Sequence, residues 1–352
     1  MEERLKLKPP KLMPVPRRDD VRGTYAWHPG MKEYEGEDGK IYTPVLRVSK
    51  SSWSTFTFCE QQYFIKYVLG VKEPQNDAML RGTNVHDAYE YILDHLLDIH
   101  EAHAIRDHQG EEALHDYFQS LIPKSQVSKG WDDEIAQHTG NPYLLDEEKH
   151  LARLMTAEAK RFLHSDPVYF KPLGNERTVD AFVEIEVNGV VVPVHLTGII
   201  DRLFVDPNGD LHVHELKTGL WKDKKTKYEG MAGEMAYYVY LLRKSDDPEL
   251  GGCNVKYWGW DHTKGLEGEP DRIYRFVERV QTGIVSNMIA NLKAMVSAHL
   301  RYKGDFNGKD FAVKPPNAER YICDPWCKVD GYCPKNDRYL MPKDMRAKAE
   351  GN

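Results

Sequence analysis

Two acidic residues and a lysine are spaced so that their chemistry can combine. Residues 212–219 read HVHELKTG, which sets Glu215 and Lys217 two apart at the end of an apolar run, and Asp201 lies fourteen residues before Glu215 in TGIIDRLFVD. Side chains alternate faces along a strand, so Glu215 and Lys217 share one face while His212, His214 and Leu216 take the other. The DPNGD turn between the two segments folds one strand onto the next and brings Asp201 beside Glu215. Converging carboxylates repel unless a cation lies between them or one takes a proton. A hard divalent ion such as Mg²⁺ suits carboxylate oxygens, lowers the pKa of bound water and stabilises charge on a phosphoryl oxygen. Lys217 is placed to orient that water or to neutralise developing charge. A lone Glu-x-Lys triplet is more often a surface ion pair; the spacing to Asp201 and the helix that follows favour a site here.

These side chains need a sheet to hold them. From Thr178 apolar residues recur with period two, at Val179, Ala181, Val183, Ile185 and Val187, and Asn188-Gly189 predicts a hairpin turn. A second strand runs from Val190 to about Val205, and HVHELK is the third. A lysine-rich loop leads to a helix from about Gly230 to Arg243, a short strand in NVKYWGWD and a long helix from Arg272 to Leu300. The first half is helical: one helix starts near Ser51, its expected N-cap, a second spans Asn84–His100, and a third Asp146–His164. Residues 1–48, with Pro9, Pro10, Pro14 and Pro16 among basic residues, read as a loosely ordered arm, and 338–352 as a tail.

Composition sets outer bounds. The 352 residues are 41% hydrophobic, enough for a sizeable core, and a net charge of −7 argues against a chain that coats nucleic acid indiscriminately. No run approaches the length of a membrane helix, and the first residues lack a secretory apolar core, so an intracellular, cytoplasmic protein with no membrane partner is expected.

The segment GIIDRLFVDPNGDLHVHELKTG resembles motifs of the PD-(D/E)XK nuclease superfamily, in particular its RecB-like branch, with Gly198, Asp201, Arg202, Glu215, Lys217, Thr218 and Gly219 in register. RGTNVHDAYE supplies the branch's upstream Gly82 and His86. The resemblance implies an α/β restriction-endonuclease-like core, a mixed central sheet flanked by helices, with an N-terminal helical layer and a C-terminal cysteine cluster. One nuclease domain would then span 49–337: helical to 177, catalytic sheet and helix at 178–262, and C-terminal helix with cysteines at 263–337. It implies that His86, Asp201, Glu215 and the Leu216 main-chain carbonyl hold Mg²⁺ or Mn²⁺ and that Lys217 positions the attacking water. The branch's Gln-x-x-x-Tyr motif reads EMAYY here, so Tyr238 matches while Glu234 replaces the glutamine. Arg202, Tyr238 and Glu234 are the substrate-contact candidates it implies.

Four of the five cysteines form a second pattern, Cys323-x3-Cys327-x5-Cys333 with Cys59 far upstream. Three close thiols plus one remote ligand suit an iron–sulfur cluster better than paired zinc knuckles, though Zn²⁺ on the same ligands is chemically allowed. Resemblance to the AddB and CRISPR-associated Cas-four type nucleases implies a 4Fe–4S cluster acting as a staple between the chain ends. Here the first spacing is x3 where that type commonly has x2, and Glu60 replaces the usual proline. Cys253 is expected to be a core residue.

After the third strand, LWKDKKTKYEG places Lys222, Lys224, Lys225 and Lys227 near the site, where ammonium groups can meet phosphates, with Trp221 and Tyr228 as stacking platforms. Alone, such a run is a solvated loop. The resemblance implies a metal-dependent deoxyribonuclease, first a single-stranded DNA exonuclease leaving a 5′-phosphate. Structure-selective endonuclease comes second, and an inactive DNA-binding or assembly subunit is the rival of another class. Its partners would be DNA and other recombination, repair, replication or CRISPR proteins.

Overall fold

The computed structural model describes residues 11–72, parts of 82–98, 99–120, 172–219 apart from 207, 224–263 apart from 251, 274–305, 308–313 and, singly, Ala157, Cys327, Val329 and Cys333. Strands β1 (Met13–Val15), β2 (Arg18–Thr24), β3 (Tyr34–Glu35) and β4 (Ile41–Ser49) lead into α1 (Lys50–Phe58), α2 (Glu60–Tyr63) and a π-helical turn at Phe64–Val68. Helices α3 (Ile99–Gln109) and α4 (Glu111–Gln119) precede the meander β5 (Pro172–Val187), β6 (Val190–Val205) and β7 (Leu211–Lys217). Then come α5 (Lys224–Lys244), β8 (Val255–His262), β9 (Tyr274–Arg279) and α6 (Thr282–Arg301).

The expected hairpin is present. Asn188 (φ 52°) and Gly189 (φ 77°) both occupy the left-handed region that a two-residue turn of this hand needs, and β5 pairs with β6 along almost their whole length. At the next turn the Asp206 carboxylate accepts from the amides of Asn208 (2.8 Å) and Asp210 (2.9 Å), closing β6 onto β7. One nine-stranded sheet results, in the order β1-β2-β4-β6-β7-β8-β9, with β3 on β4 and β5 on β6. Pairs β2–β4, β4–β6 and β7–β8 are parallel and the others antiparallel, so the sheet is mixed. Helices flank it in a mixed α/β fold.

Helix α5 packs its apolar length on this sheet, burying Met231, Met235, Tyr237, Tyr238, Leu241 and Leu242, with α6 alongside through Met288, Leu292 and Met295. The Tyr237 hydroxyl donates to the carbonyls of Val48 (2.8 Å) and Thr197 (3.1 Å), tying the helix to the ends of β4 and β6. Gly198 permits the close approach: a Cβ there would meet Tyr238 Cε1 at 2.9 Å and Leu241 Cδ2 at 3.0 Å.

Three expectations need correction. The expected N-terminal arm is structured from residue 11, because β4 carries Val45, Leu46 and Val48 fully into the core and Pro14 sits in the edge strand β1, where a missing N–H costs no ladder bond. The helix expected from Arg272 begins instead at Thr282, since Tyr274–Arg279 alternates around buried Phe276 and joins the sheet as β9. The N-cap of α1 is Ser49, not Ser51: its hydroxyl accepts from the Ser52 amide at 3.2 Å, and Ser52 Oγ accepts from the Ser49 amide at 2.8 Å. Lys50 thereby becomes the first helical residue. The helix expected at 146–164 lies outside the described residues apart from Ala157. Among the described residues, no helix is long and apolar enough to cross a membrane.

Candidate active site

Asp201 on β6 and Glu215 on β7 are both buried, at 8% and 4% exposure. The two strands pair antiparallel with Arg202 opposite His214, which puts Asp201 and Glu215 together on the other face. The Leu216 amide donates to Asp201 Oδ2 at 2.7 Å, fixing that carboxylate across the gap between the strands. Burial and the neighbouring Glu215 charge push the Asp201 carboxyl well above the usual carboxylate range. Burial alone would push Glu215 the same way, but the Lys217 and Lys50 ammonium groups overcome it and hold Glu215 ionised.

Lys217 Nζ donates to Glu215 Oε1 at 2.7 Å, and Lys50 Nζ reaches the same oxygen at 2.6 Å. Glu234 on α5 faces this group, with Oε2 at 3.5 Å from Lys50 and 3.6 Å from Lys217, while Ser54 Oγ donates to its Oε1 at 3.4 Å. Both lysines stay protonated, because the carboxylates around them outweigh the cost of burial.

On the other side of Asp201, His86 Nδ1 lies 2.9 Å from Glu176 Oε1 and 3.6 Å from Asp201 Oδ2. His86, Glu176 and Asp201 each offer a ligand atom within 4.8 Å of the others, the one such group among the described residues. Glu215 Oε2 is buried without a hydrogen-bond partner, the state of an oxygen that a cation would occupy. Carboxylates plus one imidazole are a donor set that suits Mg²⁺ or Mn²⁺, so the residues present fit such an ion.

Glu176 and Lys50 were not among the residues singled out above. Glu176 had a readable signal: counting pairs outward from the Asn188-Gly189 turn sets it opposite Asp201, between the pairs Asn175–Arg202 and Arg177–Ile200. Lys50 had none, since only the fold brings it to a carboxylate 165 positions away.

One substrate-contact candidate, Arg202, does not reach the site, and another, Tyr238, borders it only with a buried ring, 5.5 Å from Lys50 Nζ. Arg202 points to the reverse face, where its guanidinium lies 3.6 Å from Asp261 and 3.3 Å from the Tyr89 hydroxyl, because alternation turns it away from Asp201. Tyr238 is 1% exposed, packs on Gly198 and donates its hydroxyl to the Ile199 carbonyl. His212 and His214 also lie on the reverse face, as expected: His214 Nδ1 is 3.3 Å from Asp261, and burial lowers its pKa to about 4. Lys222 lies outside the described residues, and Lys224, Lys225 and Lys227 occupy the first turns of α5.

Beside Ser54 opens a cleft of about 800 Å³ between α1, α5 and α6, with Trp53, Phe58, Tyr228 and Asn287 in its walls. The chain after α6 returns to α2: the Ala312 amide donates to Glu60 Oε2 at 2.9 Å and the Ala312 carbonyl accepts from the Gln61 amide at 3.1 Å. Cys59 begins this turn, Cys333 is buried, and Cys327 packs against the core. Among the described residues the thiols of Cys59, Cys327 and Cys333 do not gather into a ligand group, and Cys323 lies outside them. The described thiols thus do not themselves make a metal site.

The strand pairing, the Asp201–Glu215–Lys217 group and the helix packed over it are the marks of a nuclease core. The sequence profile of the PD-(D/E)XK nuclease superfamily matches residues 47–334, and the chain belongs to that superfamily. It is similar to a subunit of the ATP-dependent helicase/deoxyribonuclease of Streptococcus agalactiae, 23% identical over 212 residues that make 58% of this chain and 17% of the relative. The corresponding helicase/deoxyribonuclease subunit from Streptococcus uberis is 25% identical over 221 residues, 59% of this chain and 18% of the relative. The chain therefore spans less than a fifth of the length of these relatives. A solved structure from Eubacterium rectale, described provisionally as an exonuclease, aligns over 86% of this chain and 93% of its own at 16% identity, with a TM-score of 0.34.

Proposed function

We infer that the chain is a Mg²⁺- or Mn²⁺-dependent deoxyribonuclease acting on single-stranded DNA ends. The observation that carries this reading is the convergence of Asp201, Glu176 and His86, with the unpartnered Glu215 Oε2 on the neighbouring strand and a protonated Lys217 on Glu215. His86, Glu176, Asp201 and Glu215 would hold the ion, with the Leu216 carbonyl as a further ligand. When bound, a divalent ion supplies Lewis acidity, making water a better nucleophile and easing charge build-up on phosphoryl oxygens.

The protein's own residues supply the rest. The Leu216 amide keeps Asp201 in one orientation. Lys217, held on Glu215, is a hydrogen-bond donor; it orients the attacking water and offsets negative charge as phosphorus is approached in line. The cleft beside Ser54 gives a strand a route to this point, with Phe58 and Tyr228 as stacking surfaces. The relatives named as helicase/deoxyribonuclease subunits support a setting in which a helicase motor delivers the strand.

A 4Fe–4S cluster on Cys59, Cys323, Cys327 and Cys333 rests on the resemblance and on the return of the chain at Ala312 to the Cys59 turn. Iron and acid-labile sulfide in anaerobically purified protein would support it, and stoichiometric zinc in colourless protein would replace it.

Linear and circular single-stranded DNA with Mn²⁺ test the reading together. Degradation of the linear form alone supports an exonuclease, and cutting of circles makes the enzyme an endonuclease. Binding of both without cleavage, across divalent metals, would favour the inactive subunit.

A further inference from the structure

Lys50 has no part in the reaction as drawn so far, yet its ammonium is the nearest group to Glu215, at 2.6 Å from Oε1. It is anchored by the Ser49–Ser52 capping box, which makes it the first residue of α1 and aims it at the end of β7. Two ammonium groups on one carboxylate oxygen repel each other, and a divalent cation on the same carboxylate would repel both. The two lysines are not equally free to leave. Lys217 is two residues from Glu215 on one strand and lies over the Trp260 ring, whereas Lys50 comes from another element; both also face Glu234, at 3.5 Å from Lys50 and 3.6 Å from Lys217. The Lys50 stem is long enough to swing, and its side chain keeps 17% of its surface open beside 29% for Lys217, so what separates the two is the element that carries each and not exposure.

The geometry points to Lys50 as a phosphate-binding lysine held in reserve: it rests on Glu215 and Glu234 in the metal-free site and turns to the substrate phosphodiester when a divalent ion takes over Glu215. The assignment rests on the nuclease reading of the site and adds to it the residue that couples metal loading to strand binding. Glu234 is the resting point that makes the exchange reversible. The metal removes the attraction that holds Lys50, and an incoming phosphate supplies another of the same sign. Metal and strand then bind cooperatively through one side chain.

The test is binding, not turnover. Affinity for a fluorescein-labelled oligothymidylate is measured by anisotropy in Ca²⁺ and in EDTA, for wild type and Lys50→Met, over a range of salt. In Ca²⁺ the variant is expected to bind about tenfold more weakly, as for a lost charge-assisted hydrogen bond, and its salt slope to fall by about 0.7, one phosphate contact on a single strand. In EDTA the two proteins are expected to bind alike. Lys50→Arg should retain most of the Ca²⁺-dependent gain, and Mn²⁺ binding to Lys50→Met without DNA should be at least as tight as in wild type. Equal affinity and slope in Ca²⁺, or the same deficit with and without metal, would overturn the assignment. Thermal melting checks that the variant folds, and Lys50→Gln, which can still hydrogen-bond Glu215, replaces it if not. Should wild type itself neither bind nor cut the oligonucleotide, the nuclease reading falls and this assignment with it; failure of the Lys50 variants alone leaves that reading intact.

Discussion

Glu176 stands opposite Asp201 across the β5–β6 ladder, with φ at 45°, and both carboxylates reach His86. A non-glycine residue in the left-handed region is uncommon, and here it coincides with an acid brought to a charged cluster. Glu176→Gln keeps the size of the side chain and removes its charge. Mn²⁺ affinity is expected to fall about tenfold or more, in the range for perturbing a metal-site carboxylate, read from the metal-induced rise in melting temperature. An unchanged metal response would remove Glu176 from the ligand set.

Gly198 meets the α5 helix at a distance no side chain tolerates. Gly198→Ala would bring a methyl to 2.9 Å from Tyr238 and 3.0 Å from Leu241, both buried. Overpacking of this kind costs about 1–3 kcal/mol. A urea midpoint lower than wild type with unchanged slope is the expected outcome.

His299 predicts an acid limit to stability. Its Nδ1 hydrogen donates to the Trp27 carbonyl (2.7 Å) and its Nε2 accepts from the Tyr63 hydroxyl (2.9 Å), an arrangement satisfied by the neutral ring. Burial lowers its pKa from 6.5 to about 4. Between those values the unfolded chain binds the extra proton and the folded one does not, so stability is full above 6.5 and is lost as pH falls toward 4. The loss amounts to about 3 kcal/mol at most. His299→Gln should show a shallower fall of melting temperature over this window, with the remainder shared by His214, which is depressed by burial in the same direction.

The strands that carry the candidate site are legible because their signals are local. Period-two alternation, Asn188-Gly189 and the Asp206 turn define β5, β6 and β7, and alternation alone assigns Glu215 and His214 to opposite faces. The same rule on β6 turns Arg202 away from Asp201. Residues 11–48 misled because proline and charge dominate their composition, whereas β4 is recruited by parallel pairing with β6, a contact about 150 positions away along the chain. Lys50 was hidden for that reason too. Glu234 was expected to face the site and does, since its place on α5 follows from helical periodicity once Tyr238 is packed on Gly198.

Asp201, Glu215 and Lys217 are proposed as a working phosphodiesterase site. The direct measurement is Mn²⁺-dependent release of nucleotides from end-labelled single-stranded DNA by wild type beside Lys217→Ala, with metal binding followed in parallel. Cleavage by wild type is expected, with a loss of about 10²–10³ in rate for the variant, the size seen when a charge-stabilising donor is removed, and a metal affinity that survives the substitution. Equal rates for the two proteins, or no cleavage by either with any divalent metal, would contradict it.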